Sequence, residues 1–425
     1  AGRGEIGVGK IEGDDTHRET PPRKLIRMLS HFPCCRNAFF RRNSTALRLP
    51  AGSPTWVKGG ADAICRKKPD SSQTVIYVTI IRAGKDFIVK EETTVSLSLK
   101  GKVAIVTGSG QGIGRAVAMY LAEQGVKVVT NNRRRHSTGY AQLTERDLAH
   151  LSPADLEWTE KMMAELSGDA ETTAKAIRDA GGEATPFFGD ISDFQVAADL
   201  VETAVKTYGS IDIVVNIAGS FGFSPVDKIT PELWDHVNNT KPKGHFNVIR
   251  HAVPYMKEKR WGRIVNTTSR AFLGDVIRHA EYCAANAGVV GLTRAVAMEL
   301  YRYNITCNAI SPFAYTRASV ELEAHERAFR GTEDSVFLDP KFNFPIEITP
   351  KPEYLAPFIA YLCTDKAANI SGAIFSVAGN RISVFTNPVP VNEITKEGKE
   401  KWTLEELDEK VHSVLMKDYK SVVEF

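Results

Sequence analysis

The stretch Thr107-Gly108-Ser109-Gly110-Gln111-Gly112-Ile113-Gly114 has the residue types and spacing of a pyrophosphate-binding turn. Its glycines let backbone come close to phosphate oxygens. The free N–H groups opening the next helix donate to those oxygens, and the helix dipole favours their charge. Glycine spacing alone is a weak signal, but here it lies between a strand pattern and a helix pattern. The plainer alternative is a glycine-rich turn that binds nothing. Asn131-Asn132-Arg133-Arg134-Arg135 ends the next strand. An acid there would bond the adenosine ribose hydroxyls and select NAD(H). An amide followed by arginines suits a 2′-phosphate, so NADP(H) is favoured over NAD(H), with a solvated basic loop as the bland reading. Asp190-Ile191, a carboxylate beside an apolar residue, is placed to meet an adenine ring.

These residues need a scaffold, and the apolar pattern supplies one. Val103 to Val106 is a continuous apolar run, as in a strand buried on both faces of a parallel sheet. Ile113, Val117 and Leu121 then recur at helical spacing, and Gly125 is a left-handed cap. Further strands are expected at 126–130, 184–189, 211–215, 262–269, 305–310 and 374–378, with helices at 169–180, 193–208, from Pro231, and from about Ala280 to Tyr301. Seven strands alternating with helices predict an α/β fold, a doubly wound (Rossmann) parallel sheet with helices on both faces. His136 to Leu166 interrupts this order with two helices, the second marked by Ser152, Pro153 and Asp155. It reads as an insertion at the adenosine end. It would cover the cofactor, a surface patch or a second subunit.

Composition narrows the function. The chain has 425 residues, 43% of them hydrophobic and 25% charged, with a net charge of +3. That is ordinary globular composition with no basic field for nucleic acid and no run long enough to span a membrane. The six cysteines lack metal-ligand spacing, and no metal is expected; Cys283, Cys307 and Cys363 in the enzyme region fit a reducing compartment. Residues 1–95 carry 17 Lys/Arg against 10 Asp/Glu. The run from Met28 is Arg-rich and acid-free, like a mitochondrial transit segment, but a disordered extension or a non-native upstream stretch fits as well. The cytoplasm is the expected compartment, the mitochondrion the alternative. One strand is expected in this segment, at 74–80.

Across about residues 97–383 the chain resembles the short-chain dehydrogenase/reductase family. The resemblance rests on TGSGQGIG at 107–114, Asp190, NIAG at 216–219, GRIVNTTS ending in Ser269, Tyr282, and SPFAYT at 311–316. It implies contacts to the nicotinamide dinucleotide at Gly108, Ser109, Gln111, Gly112, Ile113, Gly114, Asn132, Arg133, Asp190, Ile191, Asn216, Ala218, Gly219, Tyr282 and Thr316. It also implies that Tyr282 is the general acid/base and that Ser269 orients the reacting oxygen. The family's catalytic lysine, one turn after the tyrosine, falls on Asn286, and its relay asparagine falls on Lys241. A phenol without help has a pKa near 10, so the cation matters. Lys241 entering from the earlier helix, with Asn286 taking the amide's part, would restore the set. Otherwise Lys241 is a surface lysine and the chain is catalytically silent.

Residues 317–350 stand where the family has a mobile lid, with Val320, Leu322, Phe329, Phe337, Phe342 and Phe344 among charges. Residues 384–425 form a tail. Thr403 to Glu406 makes a capping box, and Leu404, Leu407, Val411 and Leu415 form a stripe on a helix reaching about Met416. That stripe needs a partner, and family members are usually dimers or tetramers. The expected function is an oxidoreductase interconverting a small-molecule secondary alcohol and ketone, of which a 3-hydroxyacyl/3-oxoacyl pair is one case. The alternative is a silent nucleotide-binding subunit that supports an active partner.

Overall fold

A computed structural model describes residues 96–136, 142–335, 350–396, 398 and 401–419, together with four earlier strands. Those strands, β1 (Thr55–Gly59), β2 (Asp62–Lys67), β3 (Val75–Ala83) and β4 (Asp86–Thr94), make an antiparallel sheet in the unit Ala1–Ser96. The strand expected at 74–80 is therefore not isolated. Gly59 pairs with Asp62 and Ala83 with Asp86, so successive strands are joined tightly. The segment from Met28 to Pro50 lies outside the described residues, as do Phe337, Phe342 and Phe344.

The unit Leu97–Phe425 is built on β5 (Val103–Thr107), β6 (Lys127–Asn132), β7 (Ala184–Phe188), β8 (Ile213–Asn216), β9 (Gly262–Thr267), β10 (Ile305–Phe313), β11 (Ile374–Ala378) and β12 (Arg381–Val384). Their order is β12-β11-β10-β9-β8-β5-β6-β7. The first seven in sequence pair in parallel, as predicted for a Rossmann sheet. The eighth corrects the expected count. β12 folds back antiparallel on β11, with Ala378 opposite Arg381, through Gly379-Asn380. Gly379 has φ +57°, the conformation that a two-residue hairpin asks of its first turn residue.

The helices are α1 (Gly112–Glu123), α2 (Glu145–His150), α3 (Pro153–Glu165), α4 (Ala170–Asp179), α5 (Phe194–Tyr208), α6 (Pro231–Asn238), α7 (Gly244–Glu258), α8 (Ala280–Leu300), α9 (Arg317–Phe329), α10 (Ala356–Leu362) and α11 (Leu404–Lys410). β5 alternates its faces. Ala104 and Val106 meet Val117, Leu121 and Ile359 of α1 and α10, whereas Val103 and Ile105 meet Leu200, Met256 and Leu300 of α5, α7 and α8. Leu121 and Ile105 are fully buried. Each such side chain stabilises the fold by roughly 1.5–3 kcal/mol. The sheet is thus fixed rigidly, and the strand order reverses between β5 and β8, where such sheets open a crevice.

The insertion packs on α9: the Arg327 guanidinium of α9 lies 3.8 Å from the Trp158 ring and 2.9 Å from Asp155 of α3. The tail helix stops at Lys410 and gives way to a π turn, Val411–Leu415. The wider turn shifts the phase of the stripe. Leu407, Val411 and Leu415 are half-buried while Leu404 is exposed. Asn392 donates to the Leu415 carbonyl at 3.0 Å, so the tail helix packs on the tail itself.

Candidate active site

The turn from β5 into α1 is too close to its surroundings for a side chain at Gly108 and Gly114. A Cβ on Gly108, at φ +61°, would lie 2.9 Å from the Ala218 Cα. One on Gly114 would lie 2.2 Å from the Gly108 carbonyl oxygen. The N-cap residue Gln111 makes no side-chain capping bond, so the first-turn N–H groups of α1 remain for a ligand. Across the crevice, Thr107 Oγ1 accepts from the N–H groups of Ile217 and Ala218 at 3.0 and 3.2 Å, which fixes the loop after β8.

A cavity of about 300 Å3 runs along this turn. Gly108, Gln111, Gly112, Ile113, Gly114, Asn132, Arg133, Asp190, Ile191, Ala218, Gly219 and Thr316 all border it. Ser109, Asn216 and Tyr282 do not. The Ser109 hydroxyl accepts from the Asn131 N–H at 2.8 Å, and Asn216 Nδ2 donates to Asn266 Oδ1 at 3.0 Å, so both brace strands. The lining also holds residues that the sequence reading missed: Gln142 from the insertion, Phe221, His236, Thr240, Arg317 and Glu321. No local spacing marks them as a set, because they come from separate elements: α6, the turn after it, α9, the inserted segment and the loop after β8. Burial and the nearby Arg133 charge hold the His236 pKa down. Asn132 Oδ1 is buried and has no partner among the described residues, which suits a ribose hydroxyl donor. Glycine cradle, open helix end and orphaned acceptor together fit a dinucleotide.

At the other end, Ser269 opens the 3-10 turn Arg270–Leu273, and α8 packs against that turn and carries Tyr282 in its first turn. Lys241 sits in a π turn, Asn239–Lys243, between α6 and α7. Pro242 has no N–H for the α pattern, and the wider turn absorbs it. Lys241 is buried, only 3% exposed, and its Nζ lies 4.9 Å from the centre of the Tyr282 ring. Burial pulls its pKa below the ordinary lysine value, while the charge and hydrogen bond of the Tyr282 phenol oppose that fall. Its tip lies beside Gly219, where a Cβ would touch Nζ at 3.6 Å. Asn286 does not reach across the site. Its Nδ2 donates to the Tyr282 carbonyl at 2.7 Å, and its buried Oδ1 has no partner among the described residues. His245, a turn beyond Lys241, holds the Ala218 carbonyl at 3.2 Å through Nε2. Burial and the Lys241 charge push its pKa down to about 3. Among the described residues no cluster of His, Cys, Asp or Glu could hold a metal ion, and no helix is long and apolar enough to cross a membrane.

A doubly wound sheet with a glycine phosphate turn at its crevice is the frame of a dinucleotide-binding protein. The short chain dehydrogenase profile matches residues 102–169 and 161–327, and the chain belongs to that family. That is a family of oxidoreductases that work with a nicotinamide cofactor. The chain is 33% identical over 283 residues to the peroxisomal multifunctional enzyme type 2 of Drosophila melanogaster, a match covering 67% of this chain and 40% of that protein. It is 31% identical to the hydroxyacyl-CoA dehydrogenase ChsB1 of Mycobacterium tuberculosis, across 70% of this chain and 83% of that protein. A short chain dehydrogenase from Mycobacterium avium, 29% identical, superposes with a TM-score of 0.59 over 76% of this chain and 97% of its own.

Proposed function

We propose that the chain interconverts a 3-hydroxyacyl and a 3-oxoacyl compound with NADP(H), and that Lys241 supplies the cation that Asn286 does not. The observation that carries this is the burial of Lys241 with its Nζ 4.9 Å from the Tyr282 ring centre. The name of the hydroxyacyl-CoA relative supports the acyl substrate.

The bound nicotinamide ring supplies or takes up the hydride. Tyr282 gives its phenolic proton to the carbonyl oxygen in reduction and takes it back in oxidation. Ser269 Oγ donates a hydrogen bond to that same oxygen and holds it in register. Lys241 Nζ stabilises the phenolate left behind, in a site where burial strengthens the interaction. The cation here approaches from the helix before the strand, not from the tyrosine's own helix. Asn132 and Arg133 would meet the adenosine ribose and its 2′-phosphate. The exposed Phe246, Met298 and Tyr301 support a homodimer or homotetramer, which light scattering measures. The cytoplasm remains the proposed compartment, with the mitochondrion as its alternative, and imaging of the tagged chain separates them.

The test is NADPH binding by fluorescence, followed by NADPH oxidation with a 3-oxoacyl thioester. Lys241→Ala should lower kcat by about 10²–10⁴, the range for a lost proton-transfer partner, with NADPH affinity kept. The double exchange Lys241→Asn with Asn286→Lys should recover part of it. Full turnover by Lys241→Ala overturns the exchange. Tight cofactor binding without turnover of any ketone would favour the silent subunit. Arg133→Ala should weaken NADPH binding by roughly tenfold and leave NADH unchanged, since only the former carries the phosphate that arginine recognises.

A further inference from the structure

The loop after NIAG is Ser220-Phe221-Gly222-Phe223, and it is held unusually firmly. The Gly222 N–H donates to the buried Glu281 carboxylate at 3.0 Å, and the Ser224 N–H donates to the Arg278 carbonyl at 3.1 Å. Both anchors lie beside the helix that carries Tyr282. A Cβ on Gly222 would lie 2.7 Å from the Leu233 methyls, so the loop also fits closely on its other side. The two phenylalanines stand edge to face, 5.4 Å apart. Phe221 borders the cavity and packs edge-on to the Tyr282 ring at 5.6 Å. His279 completes the group at 5.6 Å from Phe223. Burial pushes its pKa down to about 4, so it is neutral and adds no charge.

The lid and the insertion complete this wall. His325 of α9 stacks on Phe223 at 4.3 Å with the rings 17° apart. Its Nδ1 is paired with the Asp147 carboxylate of α2, in the inserted segment. Arg278, adjacent to His279 in the chain, is bound to Asp334 at 3.1 Å. Phe221 thus presents aromatic surface beside the Tyr282 ring, where Lys241 is the cation in contact, while Arg317 elsewhere in the cavity lining is engaged with Gln111.

We propose that Phe221 is the specificity-determining residue of the reaction, selecting carbonyl compounds whose acyl part is uncharged and apolar, and that His325, set by Asp147, is the positioning residue that holds the wall closed. This deepens the proposed function and rests on it for the identity of the reacting group. The physical ground is that a free carboxylate placed against such a wall loses its water without gaining a partner, whereas an ester or thioester loses little.

Binding is separable from turnover, so both are measured. The enzyme saturated with NADP+ is titrated calorimetrically with ethyl 3-hydroxyhexanoate and with 3-hydroxyhexanoate, and oxidation of each is followed separately. The ester should bind at least about 100-fold more tightly than the free acid, the scale of an unpaired polar group in a closed site. Phe221→Ala should weaken ester binding roughly tenfold at saturating NADP+, as expected for loss of an apolar contact. His325→Gln should raise KM for the ester while kcat holds, and His325→Phe, which keeps the stack, should restore it. A merely structural histidine would not be rescued by phenylalanine. Equal binding of acid and ester, or ester binding indifferent to Phe221, overturns the inference even if the ester is oxidised. Discriminating binding with no oxidation of either compound upholds the wall and sinks the proposed reaction instead.

Discussion

At the scale of single residues, the site is a set of ionisable groups taken out of water beside a phenol. His245 and His279 are driven down to about 3 and about 4, chiefly by burial. Unfolded, each titrates near 6.5. Between that value and their folded pKa values the unfolded chain holds protons that the native one refuses. Stability is then complete above about pH 6.5 and falls with acid, at about 1.4 kcal/mol per pH unit for each histidine. Glu281, whose pKa burial raises, works in the opposite sense, and so the difference between variants is the clean measurement. Urea titrations from pH 6.5 to 4.5 should show a slope shallower by about 1.4 kcal/mol per unit in His279→Phe than in the parent. An unchanged slope would mean that His279 is solvated. Sequence made Tyr282 and Ser269 visible, and the pairing of Lys241 with Asn286 as a question. It could not show that Asn286 bonds its own helix at the Tyr282 carbonyl, because that depends on a rotamer. Nor could it show the Ser109 hydroxyl turned inward to Asn131.

At the scale of elements, the inserted segment is tied to the site chiefly by α9. The Gln142 N–H donates to Glu321 at 2.6 Å, Arg327 spans Asp155 and Trp158, and Arg317 donates to Gln111 at 3.0 Å in the phosphate turn. One helix thus touches both the insertion and the nucleotide turn. Arg327→Ala removes a half-buried cation over an indole, an interaction worth about 0.5–2 kcal/mol. It should loosen α9, raise KM for substrate several-fold and expose the segment after Phe329 to limited proteolysis, with NADPH affinity little changed. Proteolysis and KM both unaltered would remove α9 from the role of lid. Ser152 and Pro153 announced the start of α3, and the helix begins there with the Ser152 side chain accepting from the Asp155 N–H. The π turn at 239–243 was not legible. Pro242 signals only a disturbance, and the direction in which the chain absorbs it is decided by packing, here against α8 near Gly288.

At the scale of the molecule, the seven parallel strands followed from continuous apolar runs, because strands covered on both faces leave that pattern in any sequence. The eighth had a signal of its own. Gly379-Asn380 between Val377-Ala378 and Ile382-Ser383-Val384 is hairpin chemistry, yet β12 is exposed throughout, so no apolar run marks it. Its position has a consequence for anyone who shortens the chain. β12 occupies the last open row of amides on β11, and Pro388 and Pro390 follow it, residues unable to donate to a further strand. A version cut after Ala378 would keep the nucleotide turn and Tyr282 but present a bare, untwisted margin to its neighbours in solution. It should bind NADPH when fresh and then lose monodispersity within hours, giving thioflavin-positive or insoluble material, while a cut after Asn387 should stay clear. The short returning strand would then be what keeps the sheet from growing at its β11 margin.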